Sequence, residues 1–511
     1  MKISAITLSL ITIIIFSTAC GNNAPTRTPL TISTTDELSQ ALDAALVRRV
    51  NIISYQPTAE YFTNFAEGRR RMQIVRPWAL GTATRGDMDA VVTQANALRD
   101  TTALFDMLAT EYILYIYLGG DEVFFPVRDR IKEYINTQPY WYAWELSQLF
   151  HAHLSAVINN NHSSIGGQLF YIRYGFVVAD ARFEHTRRGF RNIENGLYIR
   201  SLVLPCLPGK ALAVNDVMHF STDENGISFF YSPVIALRVP DVGLPRYLTI
   251  TYTNGTVEIF PLYIWDNGEA SLGNRQYYTS LEFMQGVPVV TISRMANMNV
   301  PEDDIRSVVG RQFIAYASQL RDEPVIVVDV RGNPGGFDSL LIQWFYQLLG
   351  EVPYRAFISL SLVSNDVRTS IAQGEFWQRM GYDVELFDTA SLLDDYHQIT
   401  HMPGELVQSD QLIILLVDRL SGSASEGMAS RMFTMENTLI IGQNTAGVYV
   451  TSGAREFFLP NSGIPFQFSQ TALIYPPGHF AEGRGFAPDI WVTGCALTAT
   501  VNMLNNHIIR E

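Results

Sequence analysis

Three patterns of apolar and polar positions follow one another along the chain. From residue 34 the apolar positions recur every three or four residues: Leu38, Ala41, Leu42, Ala45 and Leu46 share one helical face, behind Thr34 and Glu37 at capping-box spacing. Leu104–Leu118 and Val127–Ile135 continue the pattern. The clearest predicted helix runs from Tyr142 to Ile158, with Leu146, Leu149, Phe150, His153, Leu154 and Val157 in one stripe. From Gly167 to Gln285 short stretches alternate or run apolar between Gly, Asn and Pro, and "TNGT" at Thr253–Thr256 predicts a hairpin turn. From Val287 apolar strands alternate with helices. "VPVVTISRM", "PVIVVDV" (Pro324–Val330), "QLIILLVD" and "TLIIG" (Thr438–Gly442) read as strands. "PEDDIRSVVGRQFIAYASQL", with Pro301 near its first turn, and Asp338–Leu349 read as helices. Near-continuous apolar strands of this kind belong to a sheet covered on both faces, so the last third is α/β, preceded by a helical and a β-rich segment.

The N-terminus does not follow these patterns. Lys2 precedes a mostly apolar run, Ile3–Phe16, too short to span a bilayer, then "STAC" (Ser17–Cys20) and a polar stretch with two prolines. The predicted organisation is therefore a signal peptide (1–19), a tether (20–33), an N-terminal helical domain (34–165), a β-rich middle domain (166–285), an α/β core (286–497) and a C-terminal tail (498–511). The small residues before Cys20 resemble a bacterial lipoprotein lipobox. That resemblance implies cleavage before Cys20 and lipidation of its thiol, which would place the protein in the bacterial cell envelope, anchored to a membrane, with its folded part in the periplasm or outside the cell. In an exported chain Cys206 and Cys495 either pair or stay as free thiols.

Composition narrows the chemistry. The chain has 511 residues, 47% hydrophobic, enough for a large core, and its net charge of −14 leaves no basic face for nucleic acid. No Cys or His spacing suggests a metal, and no motif implies an organic cofactor. Lysine is nearly absent: Lys2, Lys132 and Lys210 are the only three.

Two loops after predicted strands carry candidate chemistry. "RGNPGG" (Arg331–Gly336) places glycines where backbone N–H groups can approach a ligand. "SGSASEG" (Ser421–Gly427) places serines at a helix start, where free N–H groups and the helix dipole favour developing negative charge. Together with "GQNTAG" (Gly442–Gly447) and "EGRGFAPDIWV" (Glu482–Val492), in that order, they resemble the C-terminal processing (tail-specific) serine peptidase family of the crotonase-like superfamily. The resemblance implies a crotonase-like core, a polypeptide substrate, Ser423 as nucleophile, and the N–H groups of Gly336 and Ala424 as oxyanion donors with Gly335 beside them. Within the middle segment "GKALAVNDVMHFSTDENGI" resembles the strand-and-turn part of a PDZ domain, without a clear carboxylate-binding loop.

The family has two kinds of base. Val448 stands where the Ser/Lys branch has its lysine, and no lysine follows Lys210. Arginine does not give up its proton in proteins. The other, tricorn-like branch uses His with an assisting Glu. Here His162, in "NNHSS" on a predicted loop after the Tyr142–Ile158 helix, matches the His, and Glu482 matches the acid that would orient the imidazole network. Asn161 replaces a second serine of that branch, and Ser163 follows instead. His479 is a rival base, three residues before Glu482. His151 and His153 read as ordinary helix residues, and His397 and His401 as surface residues. The expected protein is thus an exported, lipid-anchored serine endopeptidase. The alternative is a non-catalytic peptide- or ligand-binding lipoprotein on the same fold.

Overall fold

The structure is a computed structural model that describes residues 33–57, 83–171, 173–205, 211–223, 225–239, 245–265, 276–296, 300–362, 390–394, 397–400 and 402–509. The predicted signal peptide, Cys20, Cys206 and Lys210 lie outside them, as does the question of a Cys206–Cys495 pair. Among the described residues no helix is long and apolar enough to cross a membrane.

The α/β character of the last third is present. Strands Val287–Ile292, Val325–Asp329, Leu412–Val417, Thr438–Gly442 and Ile490–Val492 are neighbours in one sheet and pair in parallel. Both faces of this sheet are covered, which is why its strands read as unbroken apolar runs. Ile326 and Val328 face helices Ile305–Gln319, Asp338–Leu349 and Ala424–Met432, packing with Phe313, Trp344 and Met428. Val325 and Val327, one position out of phase, face helices Asp36–Ile53 and Ala496–His507 through Leu38, Ala41, Ala499 and Met503.

Hydrogen bonding runs across the three segments drawn from sequence. The sheet continues from Ile490–Val492 into Met218–Thr222, in parallel, and from there through Phe229–Val239 into the antiparallel strands of the middle segment. Those include the hairpin Tyr247–Tyr252/Val257–Trp265 that closes at the "TNGT" turn. A second sheet is built on Pro465–Ile474, which pairs with Thr451–Phe458 along one edge and with Ile358–Leu362 and Asn160–Ile165, towards its two ends, along the other. The helices Gln94–Glu111, Gly120–Ile135 and Ala143–Leu154 pack on this second sheet through Leu104, Phe124 and Phe150 against Phe457, Phe466 and Phe468.

Several predicted boundaries move, each for a tertiary reason. His162 lies on the strand Asn160–Ile165, not on a loop: the Asn-rich stretch is captured by pairing of Ser164 and Ile165 with Gln467 and Phe466. The preceding helix spans only Ala143–Leu154, because Ser155 Oγ donates to the His151 carbonyl at 2.6 Å and closes its end. The run Leu104–Leu118 is divided after Glu111, where Tyr112 turns extended and the Ile113 N–H donates to Ser469 O at 3.1 Å. Thr35, not Thr34, precedes the first helix, since Thr34 pairs with Ile508, and Leu46 is 39% exposed on that helix. Pro301 precedes the helix that Asp304 caps.

Candidate active site

Ser423 stands at the N-terminus of the helix Ala424–Met432, directly after the loop that leaves the strand Leu412–Val417. Its backbone has φ 49 and ψ −113, a conformation a β-carbon disfavours. The surrounding hydrogen bonds hold it there. Asn333, fully buried in the "RGNPGG" turn, accepts at its carbonyl from Gly422 N at 2.9 Å and from Ser425 Oγ at 3.0 Å. Its side chain takes the Gly335 N–H at 2.9 Å and donates to Ile292 O at 2.9 Å. Asp418 accepts from Gly332 N at 2.8 Å and Leu420 N at 2.9 Å. One asparagine and one aspartate thus fasten the two glycine- and serine-rich loops together.

The glycines fit by necessity. Gly335 has φ 99, and a β-carbon there would lie 2.6 Å from Gly422 O, 2.7 Å from Ala424 N and 2.7 Å from Ser423 Cβ. At Gly336, with φ 141, it would meet the Met295 carbonyl. Met295 N donates to Gly335 O at 3.0 Å and Phe337 N to Met295 O at 3.3 Å, so Gly336 N and Ala424 N are not consumed by the loop's own backbone bonds.

A residue to which the sequence reading gave no role joins the site. Glu426, fully buried, accepts from Ser423 N (3.0 Å), Thr445 Oγ1 (2.7 Å), Gly447 N (2.7 Å) and Val448 N (3.0 Å). Burial pushes its carboxyl up to about 7 against the pull of those four donors. Its signal was available, because it sits three residues after Ser423, at capping-box spacing. Val448 offers its N–H to this acid and its side chain to the space beside Gly422.

His162 Nε2 is 3.4 Å from Ser423 Oγ. For the serine hydroxyl to donate to Nε2, the neutral ring must carry its proton on Nδ1. Nδ1 is buried and has no protein partner among the described residues, and neither have the side-chain N and O of Asn161. Desolvation lowers the His162 pKa to about 4. Glu482 is next to this histidine but does not bond its ring. Its Oε1 accepts from Asn161 N at 2.7 Å and its Oε2 from Val450 N at 3.3 Å. It bridges the histidine's strand and Val450, just after the "GQNTAG" turn, whereas the family resemblance implies an acid acting on the imidazole. Burial, and then the nearby Glu426, push Glu482 up to about 8.

His479 is elsewhere. Its ring is enclosed by Phe433, Tyr475 and Phe486, with centroids 4.5, 6.2 and 5.0 Å away, and burial among Arg48, Arg49 and Arg484 drives its pKa well down. His151 and His153 are on the helix Ala143–Leu154, and His151 Nε2 lies 3.0 Å from Leu169 O. The His397 side chain and His401 fall outside the described residues.

Residues 288–492 match the model of Peptidase family S41. A probable CtpA-like serine protease of Staphylococcus epidermidis (strain ATCC 12228 / FDA PCI 1200) is 25% identical over 169 residues, 33% of this chain and 27% of the relative. The chain therefore matches about a quarter of that curated relative's length. Among solved structures, mature CPAF is similar with a TM-score of 0.41 and 15% identity over 81% of this chain and 95% of that one. The photosystem II D1 C-terminal processing protease is similar with a TM-score of 0.33 and 13% identity over 78% and 92%. The match to Peptidase family S41 thus rests on the segment 288–492. That segment holds Ser423, Glu426, Glu482 and the Gly335–Gly336 turn, whereas His162 comes from outside it.

Proposed function

We propose that this chain is a serine peptidase in which Ser423 is the nucleophile and His162 the base. The observation that carries the reading is the 3.4 Å approach of His162 Nε2 to Ser423 Oγ, between residues 261 positions apart. Oγ attacks the peptide carbonyl as its proton passes to Nε2. The resulting oxyanion is met by the Gly336 and Ala424 N–H groups, each such donor being worth about 10²–10³ in rate. The C–N bond then breaks as Nε2 returns the proton to the leaving amine, and water releases the acyl group by the same steps in reverse. Glu482 and Glu426 act on backbone, holding the two loops and the histidine's strand in register. The substrate is a polypeptide. The name of the Staphylococcus relative, and the match to a peptidase family over residues 288–492, support the class. On the sequence alone, Cys20 is the proposed lipid anchor and the bacterial cell envelope the proposed location.

A second reading, a non-catalytic binding protein, is favoured by one observation: the His162 Nδ1 has no protein partner among the described residues. A fluorophosphonate probe separates the two. The soluble chain should be labelled at Ser423 and lose labelling in Ser423→Ala and His162→Ala. Undiminished labelling of Ser423→Ala would sink the assignment of the nucleophile, and an unreactive wild type would favour the binding reading.

A further inference from the structure

We propose that Tyr112, outside the family-matched segment, is a positioning residue for the base: its hydroxyl holds the backbone bulge that carries His162 to Ser423. The inference rests on the peptidase reading for its catalytic consequence. Its structural content stands separately.

The bulge is visible in the pairing of Asn160–Ile165 with Gln168–Phe170. Asn160 is opposite Phe170 and Ser164 opposite Leu169, so Asn161, His162 and Ser163 are extra residues with no partner on that side. Such an insertion bends a strand and re-aims its side chains. It also leaves three residues without a ladder to fix them, so their geometry has to come from other contacts. Glu482 supplies one by taking the Asn161 N–H at 2.7 Å. Tyr112 supplies the other: Asn160 Nδ2, at the start of the bulge, donates to its hydroxyl at 2.5 Å. The start of the bulge is therefore tied to a phenol and its Asn161 N–H to a carboxylate.

Tyr112 is suited to this by its own fixity. It is fully buried, its ring lies 5.4 Å from that of Phe468, and the next residue donates its N–H to Ser469 O at 3.1 Å. Phe468 and Ser469 belong to Pro465–Ile474, the strand that pairs with Ser164 and Ile165. The phenol is thus anchored to the same strand as the bulge it holds. Burial raises its pKa, so the hydroxyl keeps its proton and can donate and accept at once. Tyr112 acts through Asn160, and a displacement of about 1 Å in a base can cost about 10²-fold.

The test is Tyr112→Phe in the full chain, which keeps the ring and removes the hydroxyl. Amide hydrogen exchange of Asn161–Ser163 should accelerate at least tenfold while the Pro465–Ile474 strand keeps its protection. Labelling of Ser423 by the fluorophosphonate and kcat should fall about 10–100-fold with KM within about twofold. Unchanged exchange at Asn161–Ser163 overturns the inference whether or not the wild type reacts with the probe. Faster exchange with wild-type kcat also overturns it as a positioning role. A wild type that never labels defeats the peptidase reading, and the exchange result then still decides whether Tyr112 holds the bulge. Should Tyr112→Phe fail to fold, Asn160→Leu removes the same hydrogen bond from the other side and is read in the same way.

Discussion

Three titrating groups bear on how this site responds to pH: His162 is shifted down, Glu426 and Glu482 up. His162 acts as a base only when neutral. Desolvation lowers its pKa to about 4, so its base form persists well below the ordinary histidine range near 6.5. The expected kcat/KM profile therefore keeps its acid limb below pH 6, and a limb at 6.5–7 would mean that the imidazole is solvated or charge-paired in the working enzyme. Glu482 is raised to about 8, chiefly by burial. Near neutrality it is mostly protonated, which makes it a poor source of charge for an imidazolium and leaves its role as a backbone clamp. Because its folded pKa lies above the unfolded value, the stability it contributes is full below the ordinary carboxyl range and is lost as pH rises through 8. Wild-type Tm should accordingly fall between pH 5 and 9 more steeply than that of Glu482→Gln. Parallel Tm profiles for the two proteins would remove Glu482 from this account.

At the scale of elements, the site is a weld between two strand-to-helix loops, and Gly335 lies where the two loops meet. A β-carbon there would press on Gly422 O, Ala424 N and Ser423 Cβ, none of which is the free end of a flexible side chain. Gly335→Ala should therefore lower probe labelling and turnover by about 10² or more, the scale of losing an oxyanion donor. Gly350→Ala is the control: φ is 82, nothing lies within 4 Å of the added carbon, and only the left-handed backbone cost of about 1–2 kcal/mol applies. Equal activity loss in both variants would show that the effect is general destabilisation. These loops were legible because chemistry and local structure coincide in them: apolar runs ending in glycines and serines mark strand ends and helix starts without help from the rest of the chain. The strand of His162 was not legible. "NNHSSI" has no alternation and is rich in turn formers, and only its partner Pro465–Ile474, some 300 residues later, makes it extended. Tyr112 was hidden for the same reason, since the break that frees it from an apolar run depends on a contact with Ser469. Glu426 needed no tertiary information, only attention to the spacing after Ser423.

At the scale of the whole molecule, the β-rich stretch has a core cluster of its own around Val177, Leu202 and Ile250, but the helical stretch shares its core with the α/β one. The helix Asp36–Ile53 covers one face of the parallel sheet of the family-matched segment, and it is fastened there by a buried ion pair. Arg49 Nη2 lies 2.8 Å from Asp489 Oδ2, with side chains 1% and 3% exposed, and Arg48 Nη1 lies 3.1 Å from the other oxygen. Asp489 Oδ2 also accepts from Ile440 N in the sheet at 2.9 Å. Burial alone would raise the Asp489 pKa, but Arg49 and Arg48 bring it below the ordinary value. No local pattern marks these residues as partners, because they are 440 positions apart. Breaking a buried pair by removing one member costs about 3–5 kcal/mol, since the other is left charged without water. The two ends of this pair are not equivalent. Arg49→Met leaves Asp489 with Arg48 and the Ile440 N–H, whereas Asp489→Asn leaves two arginines facing a neutral amide. Asp489→Asn should therefore be the more damaging substitution in urea unfolding, and Arg49→Met/Asp489→Leu should be more stable than the sum of its single changes. Additive losses in that cycle would mean that the N-terminal helix is held to the sheet by its apolar face alone.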